Sequence, residues 1–100
     1  MAKIIVSVPY QIPQDQALSR IKAFVAGAKV KYADKVSGLQ ESWNGNVGTF
    51  SGSGSGFSVT GRVDVNPSVV GVELTVPFGA MLIKRRIESG ISDELTRLLA

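Results

Sequence analysis

The chain contains no cysteine and no histidine among its 100 residues. Without cysteine it has no disulfides, thiolate nucleophiles or cysteine-based metal sites. Without histidine it also lacks the commonest general base and the commonest ligand of transition metals. Triads of serine, histidine and aspartate are therefore excluded, and no spacing supports a serine–lysine pair. We expect a protein that is not an enzyme and that uses no cofactor or metal; an enzymatic alternative would have to use carboxylates or a lysine.

Long hydrophobic runs and a strong net charge are also lacking. The first apolar run stops at Pro9, well short of the roughly 7–15 apolar residues of a secretory signal or the roughly 20 of a membrane span. The net charge is +3, and the basic residues are scattered apart from Lys84-Arg85-Arg86. That triplet is typical of a solvated helix face, with a phosphate-binding patch as the alternative. We expect a cytoplasmic protein without a membrane span or a nucleic-acid partner.

The hydrophobic content, 44%, is sufficient for one core. At this length we predict a single α+β domain over residues 1–100. A strand is predicted over residues 3–8, and a helix from about Gln14 to near Asp34. The apolar stripe of this helix is Leu18, Ile21, Val25, Ala28 and Tyr32, widened by Phe24.

A second helix is predicted from about Gly79 to Leu99. Its apolar stripe is Ala80, Ile83, Ile87, Ile91, Leu95 and Leu98. Gly90 interrupts this helix at a cost of roughly 1 kcal/mol relative to alanine. Close packing of the helix against a sheet would explain the glycine, and a kink is the alternative.

Four strands are predicted between the helices, as two hairpins. Asn44-Gly45 is typical of a two-residue type I′ loop. The predicted pairs are Trp43 with Asn46, Glu41 with Gly48, and Leu39 with Phe50. Since opposed residues share a sheet face, we predict that Leu39, Trp43 and Phe50 lie together on the inner face.

The second hairpin turns at Asn66-Pro67-Ser68. Pairing Asn66 with Val69 brings every apolar pair and one charge pair into place together, and a slip of one residue would destroy all of them. The predicted pairs are Val65 with Val70, Val63 with Val72, Arg62 with Glu73, Thr60 with Thr75, Val59 with Val76, and Phe57 with Phe78.

The glycine- and serine-rich stretch 51–56 lies between these hairpins. We predict a loose hairpin tip rather than a linker. It lacks the Gly-Lys-[Ser/Thr] sequence and the following helix of a phosphate loop. The predicted order is β-α-β-β-β-β-α, a two-layer sandwich with an antiparallel sheet and both helices on one face. The arrangement is similar to a shortened helix-grip domain.

Glu41 is the polar residue that this pattern makes unusual. It is predicted on the apolar face, beside Trp43 and opposite Gly48, and a buried carboxylate needs a partner or a proton. It could bind the polar head group of a ligand in a cavity above Gly48. Alternatively, it could reach solvent at the sheet rim or pair with a lysine or arginine of a helix.

Two further residues suggest a surface contact. Met81 and Leu82 lie beside the stripe of the second helix, where they would leave apolar surface exposed. Such a surface could serve dimerisation or adsorption to a hydrophobic body. The sequence thus indicates Glu41, Trp43 and Gly48 as candidate ligand contacts, and Met81 and Leu82 as candidate surface contacts.

Several motifs carry a family resemblance along essentially the whole chain. They are Glu41-Ser-Trp-Asn-Gly-Asn46, Phe57-Ser-Val-Thr-Gly61, and Leu74-Thr-Val-Pro-Phe78 leading into Leu82-Ile-Lys84. The chain resembles the polyhydroxyalkanoic acid system proteins of bacteria, also called granule-region proteins. The resemblance implies an association with storage-polyester metabolism and brings no catalytic residues with it.

Three functions follow as hypotheses. The first is a non-catalytic accessory protein of polyhydroxyalkanoate granules. The second is a binding module for a small apolar ligand, such as a lipid or acyl acid, which requires a cavity above roughly 300 Å³ between sheet and helices. The third is a homo-oligomeric structural protein joined through an edge strand.

Overall fold

The computed structural model describes residues 2–31, 34, 37–54 and 57–100. Its elements are β1 (Ala2–Pro9), α1 (Gln14–Lys31), β2 (Ser37–Asn44), β3 (Val47–Gly54), β4 (Phe57–Asn66), β5 (Val69–Val76), a 3-10 helix (Phe78–Ile83) and α2 (Lys84–Leu98). The predicted α+β order is therefore confirmed. Tyr32, assigned to the stripe of the first helix, lies outside the described residues.

The five strands form one antiparallel sheet in the order β1-β5-β4-β3-β2. In β1 the side chains of Ile4, Val6 and Val8 are buried and those between them are exposed, as expected for a strand with one covered face. Both helices pack on this inner face, as predicted. The buried core is Ile4, Val6, Val8, Tyr10, Ala17, Ile21, Val65, Val70, Val72, Val76, Leu95 and Leu99.

Hydrogen bonds connect the sheet to the start of α1 and α1 to the end of α2. The Tyr10 hydroxyl donates to the carbonyl of Asn66 at 2.6 Å, and the Gln14 side chain donates to the carbonyl of Val65 at 2.8 Å. The Arg20 guanidinium donates to the carbonyls of Leu98 and Ala100 at 3.1 and 2.9 Å. The N-terminal half of α1 is therefore held firmly on the core.

The β4–β5 hairpin has the predicted register from Asn66↔Val69 to Thr60↔Thr75. Ser68 has a φ of 71°. This value fits a type II turn over residues 66–69, with Pro67 in the second position and Ser68 in the third. The pairing stops at Thr60, so the predicted pairs of Val59 with Val76 and Phe57 with Phe78 are wrong. Pro77 cannot donate to the ladder, and the chain enters the 3-10 helix there.

The charge pair predicted for this hairpin is also different in detail. Arg62 and Glu73 are opposed in the register. However, Arg62 pairs with Asp64 at 3.2 Å, and Glu73 pairs with Lys3 of the neighbouring strand at 3.1 Å. These exposed pairs contribute little to stability, so the hairpin register rests on its valines.

The β2–β3 hairpin is shifted by two residues from the prediction. Trp43 pairs with Gly48 and Glu41 with Phe50, so the loop is Gly45–Asn46. Gly45 has a φ of 61° and Asn46 has no positive φ, the pattern of a type II′ turn with glycine first. The shift is even, so each side chain stays on its predicted face. Beyond Gln40 the pairing contains a bulge near Gly38, which has a φ of 62°.

The glycine- and serine-rich stretch is mostly strand, not a loose tip. Residues Ser51 to Gly54 pair with β4, ending at Gly54↔Phe57. The predicted hairpin is confirmed, since β3 and β4 pair as far as Gly54↔Phe57, but residues 51–54 belong to the strand and not to the tip. Ser51 and Ser53 also pair with β2, and this pairing on both sides outweighs the low strand propensity of glycine. Residues 55 and 56 lie outside the described part of the chain.

The predicted last helix is divided in two. Residues 79–83, the first five of the predicted helix, belong to the 3-10 helix, and α2 begins at Lys84. A 3-10 helix has three residues per turn, so the apolar stripe does not stay aligned across the junction. Ile83 is accordingly 48% exposed, although it was predicted in the stripe, whereas Leu95 is buried and Ile87 and Ile91 pack against the core.

Gly90 does not pack closely against the sheet, because a Cβ added there meets nothing within 4 Å. We therefore expect Gly90→Ala to raise the free energy of unfolding by up to about 1 kcal/mol, since alanine is the better helix former. The shift should appear as a higher urea midpoint at unchanged slope. Gly45→Ala is the matched control: its Cβ also has open space, but its positive φ makes alanine strained, so stability should fall. A loss of stability in Gly90→Ala would contradict the open environment.

Candidate functional site

An apolar cleft lies between α1 and the inner face of β3 and β4. Its volume is about 420 Å³, within the range of roughly 300–1,000 Å³ typical of small-molecule sites. On the helix side it is lined by Phe24, Val25, Ala28 and Lys29. The sheet side of the lining is Leu39, Phe50, Ser51, Gly52, Ser53, Gly54, Val59, Thr60, Gly61, Val63 and Leu74.

The cleft exists because small residues occupy inner-face positions of the sheet. In β3 the inner positions after Phe50 are Gly52 and Gly54, and the position opposite Phe50 in β4 is Gly61. Elsewhere on this face the strands carry branched side chains that fill the space below the helices. Ala17 and Ile21 seat the first half of α1 on the core, whereas Phe24 remains 46% exposed. The second half of α1 thus covers a part of the sheet where three inner-face positions, Gly52, Gly54 and Gly61, carry no side chain.

A charged cluster lies beside the cleft. Lys29, which lines the cleft, places its Nζ 3.5 Å from Oε1 of Glu41. The other carboxylate oxygen of Glu41 accepts the indole N–H of Trp43. Lys22 extends over the Trp43 ring, with its Nζ 5.2 Å from the ring centroid. Of the two readings of Glu41, the structure shows the one in which it pairs with a helix lysine.

Gly48 accommodates Trp43. A Cβ built at Gly48 would lie 2.8 Å from three atoms of the six-membered ring of Trp43, closer than any tolerable contact. The indole also packs edge-on against Phe50, with 5.8 Å between ring centroids. The space above Gly48 is therefore filled by a side chain of the protein itself.

The structure thus brings Glu41, Trp43 and Gly48 together as predicted, but next to the cleft and not in its lining. The lining residues Gly52, Gly54 and Gly61 were not predicted from the sequence. Their shared inner-face parity was a usable signal, but the glycine- and serine-rich stretch was interpreted as a turn. The ligand role of Glu41, Trp43 and Gly48 stays a prediction.

A second candidate surface is the 3-10 helix, Phe78–Ile83, which we call the apolar segment. Leu82 is 92% exposed, Phe78 70% and Met81 37%. Lys84, Arg85 and Arg86 follow directly in the first turn of α2. Met81 and Leu82 are exposed as the sequence suggested. Ile83 joins them because the apolar stripe is not aligned across the 3-10 helix, and Phe78 joins them because the β4–β5 pairing has already ended. A run of exposed large apolar side chains is unusual on a protein surface, so this segment is a candidate interaction site.

The outer face of the sheet is mostly polar. A groove of about 440 Å³ on this face is lined by hydroxyl and charged side chains, among them Ser42, Thr49, Thr60, Arg62 and Glu73. Such residues are ordinary on a surface that faces solvent. Across the described residues, no cluster of three acidic side chains could hold a metal ion. None of the helices in this part of the chain has the length and apolar content to cross a membrane.

Comparison with known proteins identifies the family. Neither a search of curated proteins nor a search of solved structures found a significant match. The family model described as "Putative polyhydroxyalkanoic acid system protein" matches residues 4–99, from the first buried strand residue to the residue after α2. Since the match spans nearly the whole chain, the resemblance noted in the sequence is confirmed, and the chain belongs to the polyhydroxyalkanoic acid system protein family.

Proposed function

We propose that this protein is a non-catalytic accessory component of the polyhydroxyalkanoate system that binds the surface of the polyester granule. The observation that carries the proposal is the apolar segment, where Phe78 and Leu82 are largely exposed and Ile83 is about half exposed. The family description refers to the polyhydroxyalkanoic acid system, and we infer from it that the partner is the polyester. A polyester surface presents alkyl groups, and these side chains would lose their contact with water on it.

The charge next to the segment also suits this partner. The carbonyls of a polyester accept hydrogen bonds but cannot donate them, whereas lysine and arginine side chains only donate. Lys84, Arg85 and Arg86 lie at the edge of the apolar segment, so they would reach ester carbonyls or terminal carboxylates while the apolar side chains insert. Basic residues flanking exposed apolar ones are typical of proteins that bind at interfaces.

Co-sedimentation with purified polyhydroxyalkanoate granules tests the proposal. We expect the wild-type protein in the granule pellet and Leu82→Glu to bind at least tenfold more weakly. Removing one leucine from an apolar contact costs about 1.5–3 kcal/mol, and tenfold corresponds to about 1.4 kcal/mol. Val30→Glu is the matched control, because Val30 is an 81% exposed aliphatic residue on α1. It introduces the same charge and should leave binding unchanged.

Two outcomes would overturn the proposal. One is recovery of the wild-type protein wholly in the supernatant, and the other is equal binding by both glutamate variants. Light scattering on the same samples separates the oligomeric alternative: a dimer that dissociates in Leu82→Glu would assign the segment to self-association. The proposal places the protein in the cytoplasm, and fractionation of cells with and without granules checks that compartment.

A further inference from the structure

The cleft between α1 and β3–β4 is a built feature of the sheet, distinct from the apolar segment. Glycine is unfavourable in strand interiors and often marks a site where another group approaches closely. Here Gly52, Gly54 and Gly61 all lie at inner-face positions that line the cleft. On the opposite wall, the helix presents Ala28 where a larger side chain would fill the space. Because the residues on both walls are small, they leave space between the helix and the sheet.

The apolar lining of the cleft is suited to an apolar ligand. Phe24, Val25, Leu39, Val63 and Leu74 contribute aliphatic and aromatic surface. Ser51, Ser53 and Thr60 also line the cleft, but they occupy outer-face positions by the pairing of the strands. An alkyl chain in the cleft would therefore contact apolar side chains along its length. Lys29 is the one charged side chain among the described residues that line it.

The charged cluster beside the cleft is suited to the polar group of such a ligand. Lys22 and Lys29 contribute two positive charges and Glu41 one negative charge, which leaves the cluster with an excess of one positive charge. The Lys29 side chain is 39% exposed and contacts Glu41 through a single oxygen, so the ammonium group has further donors to offer. The carboxylate of Glu41 has acceptor sites beyond the two that Lys29 and Trp43 use. Together they can donate to a carboxylate and accept from a hydroxyl.

We propose that this cleft binds a free hydroxyalkanoic acid, with the alkyl chain between α1 and the glycine-lined strands, the carboxylate on Lys29 and the hydroxyl on Glu41. An apolar tail, an anionic group and an adjacent hydroxyl are the three features that the cleft and the cluster match. The choice of a hydroxy acid among apolar acids rests on the same family membership as the proposed function. The cleft and the charges are independent of it.

Titration with β-hydroxyoctanoic acid, octanoic acid and octanol tests the proposal by calorimetry and by fluorescence of Trp43, the single tryptophan. We expect saturable binding in that order of affinity, with octanol weakest because it lacks the carboxylate. Lys29→Met should remove the preference for the acids over octanol. Equal affinity for β-hydroxyoctanoic and octanoic acid would overturn the role of Glu41.

A pair of helix variants tests the location. Ala28→Phe places a ring in the cleft and should weaken binding of β-hydroxyoctanoic acid at least tenfold. Ala26→Phe adds the same ring at an exposed position of α1 and should bind normally. Absence of saturable wild-type binding, or normal binding by Ala28→Phe, would overturn the proposal. Granule binding is scored separately: Leu82→Glu should keep the ligand, and Ala28→Phe should keep the granule, so either proposal can fail alone.

Discussion

Replacing Ile4 by alanine will lower the free energy of unfolding by about 3 kcal/mol, within the roughly 2–5 kcal/mol measured for such truncations in cores. Ile4 is fully buried on the inner face of β1, where it lies opposite Leu74 of β5. The truncation removes buried methyl and methylene groups and leaves a cavity that neighbouring β-branched residues on fixed strands cannot fill. For a domain of ordinary stability, about 5–15 kcal/mol, this is a substantial fraction.

Ile5→Ala is the matched control for this prediction. Ile5 is the next residue of the same strand, but it is 63% exposed on the outer face, so its truncation should cost less than about 0.5 kcal/mol. Urea unfolding followed by circular dichroism gives both values. Equal losses in the two variants would show that β1 does not have one covered face, and the assignment of the inner face would then be wrong for the whole sheet.

The face of each strand could be predicted from the sequence because burial on one side fixes side-chain parity. In the β4–β5 hairpin, Val63, Val65, Val70 and Val72 occupy alternate positions, with Asp64 or Gly71 between them, and only one register joins them all. The penalty for a slip is the exposure of every one of them. This is why the central hairpin was predicted almost completely, up to the point where Pro77 ends the ladder.

The β2–β3 hairpin shows where such reasoning fails. Its turn contains Asn44-Gly45-Asn46, and the glycine satisfies either a type I′ loop in the second central position or a type II′ loop in the first. Both choices keep the same parity, so burial does not decide between them. In the structure, contacts with β4 favour the type II′ turn. The carbonyl of Asn46 accepts from the backbone N–H of Val65 at 2.9 Å, and its side-chain amide donates to the carbonyl of Val65 at 2.7 Å. This tertiary contact is invisible in the hairpin sequence alone.

The cleft could not be predicted for a related reason. Glycine and serine residues are typical of loops, so the stretch 51–56 gave no indication of a strand pair. The cleft also depends on where α1 leaves the sheet. Ala17, which is fully buried, was outside the predicted stripe, whereas Phe24 was expected to pack and is half exposed. Small differences in helix rotation decide whether space remains, and periodicity does not resolve them.

The last prediction concerns Gly48, where a missing side chain on β3 is replaced by the indole of Trp43. Gly48→Ala will lower the free energy of unfolding by about 2 kcal/mol, since overpacking a filled site costs roughly 1–3 kcal/mol. The added Cβ would lie 2.8 Å from the ring, and the strand backbone on both sides of Gly48 is paired with β2 and β4. The indole must therefore move, which breaks its hydrogen bond to Glu41 and exposes the ring to water.

Unfolding curves and the emission of the single tryptophan measure the two parts of this effect. We expect a lower urea midpoint together with a red-shifted native emission in Gly48→Ala. Gly71→Ala on β5 is the matched control, because a Cβ there meets nothing within 4 Å, so alanine should be neutral or slightly stabilising. A double-mutant cycle isolates the contact: in a Trp43→Ala background, Gly48→Ala should lose its cost. A cost that persists in that background would mean that the backbone at Gly48, and not the indole, requires glycine.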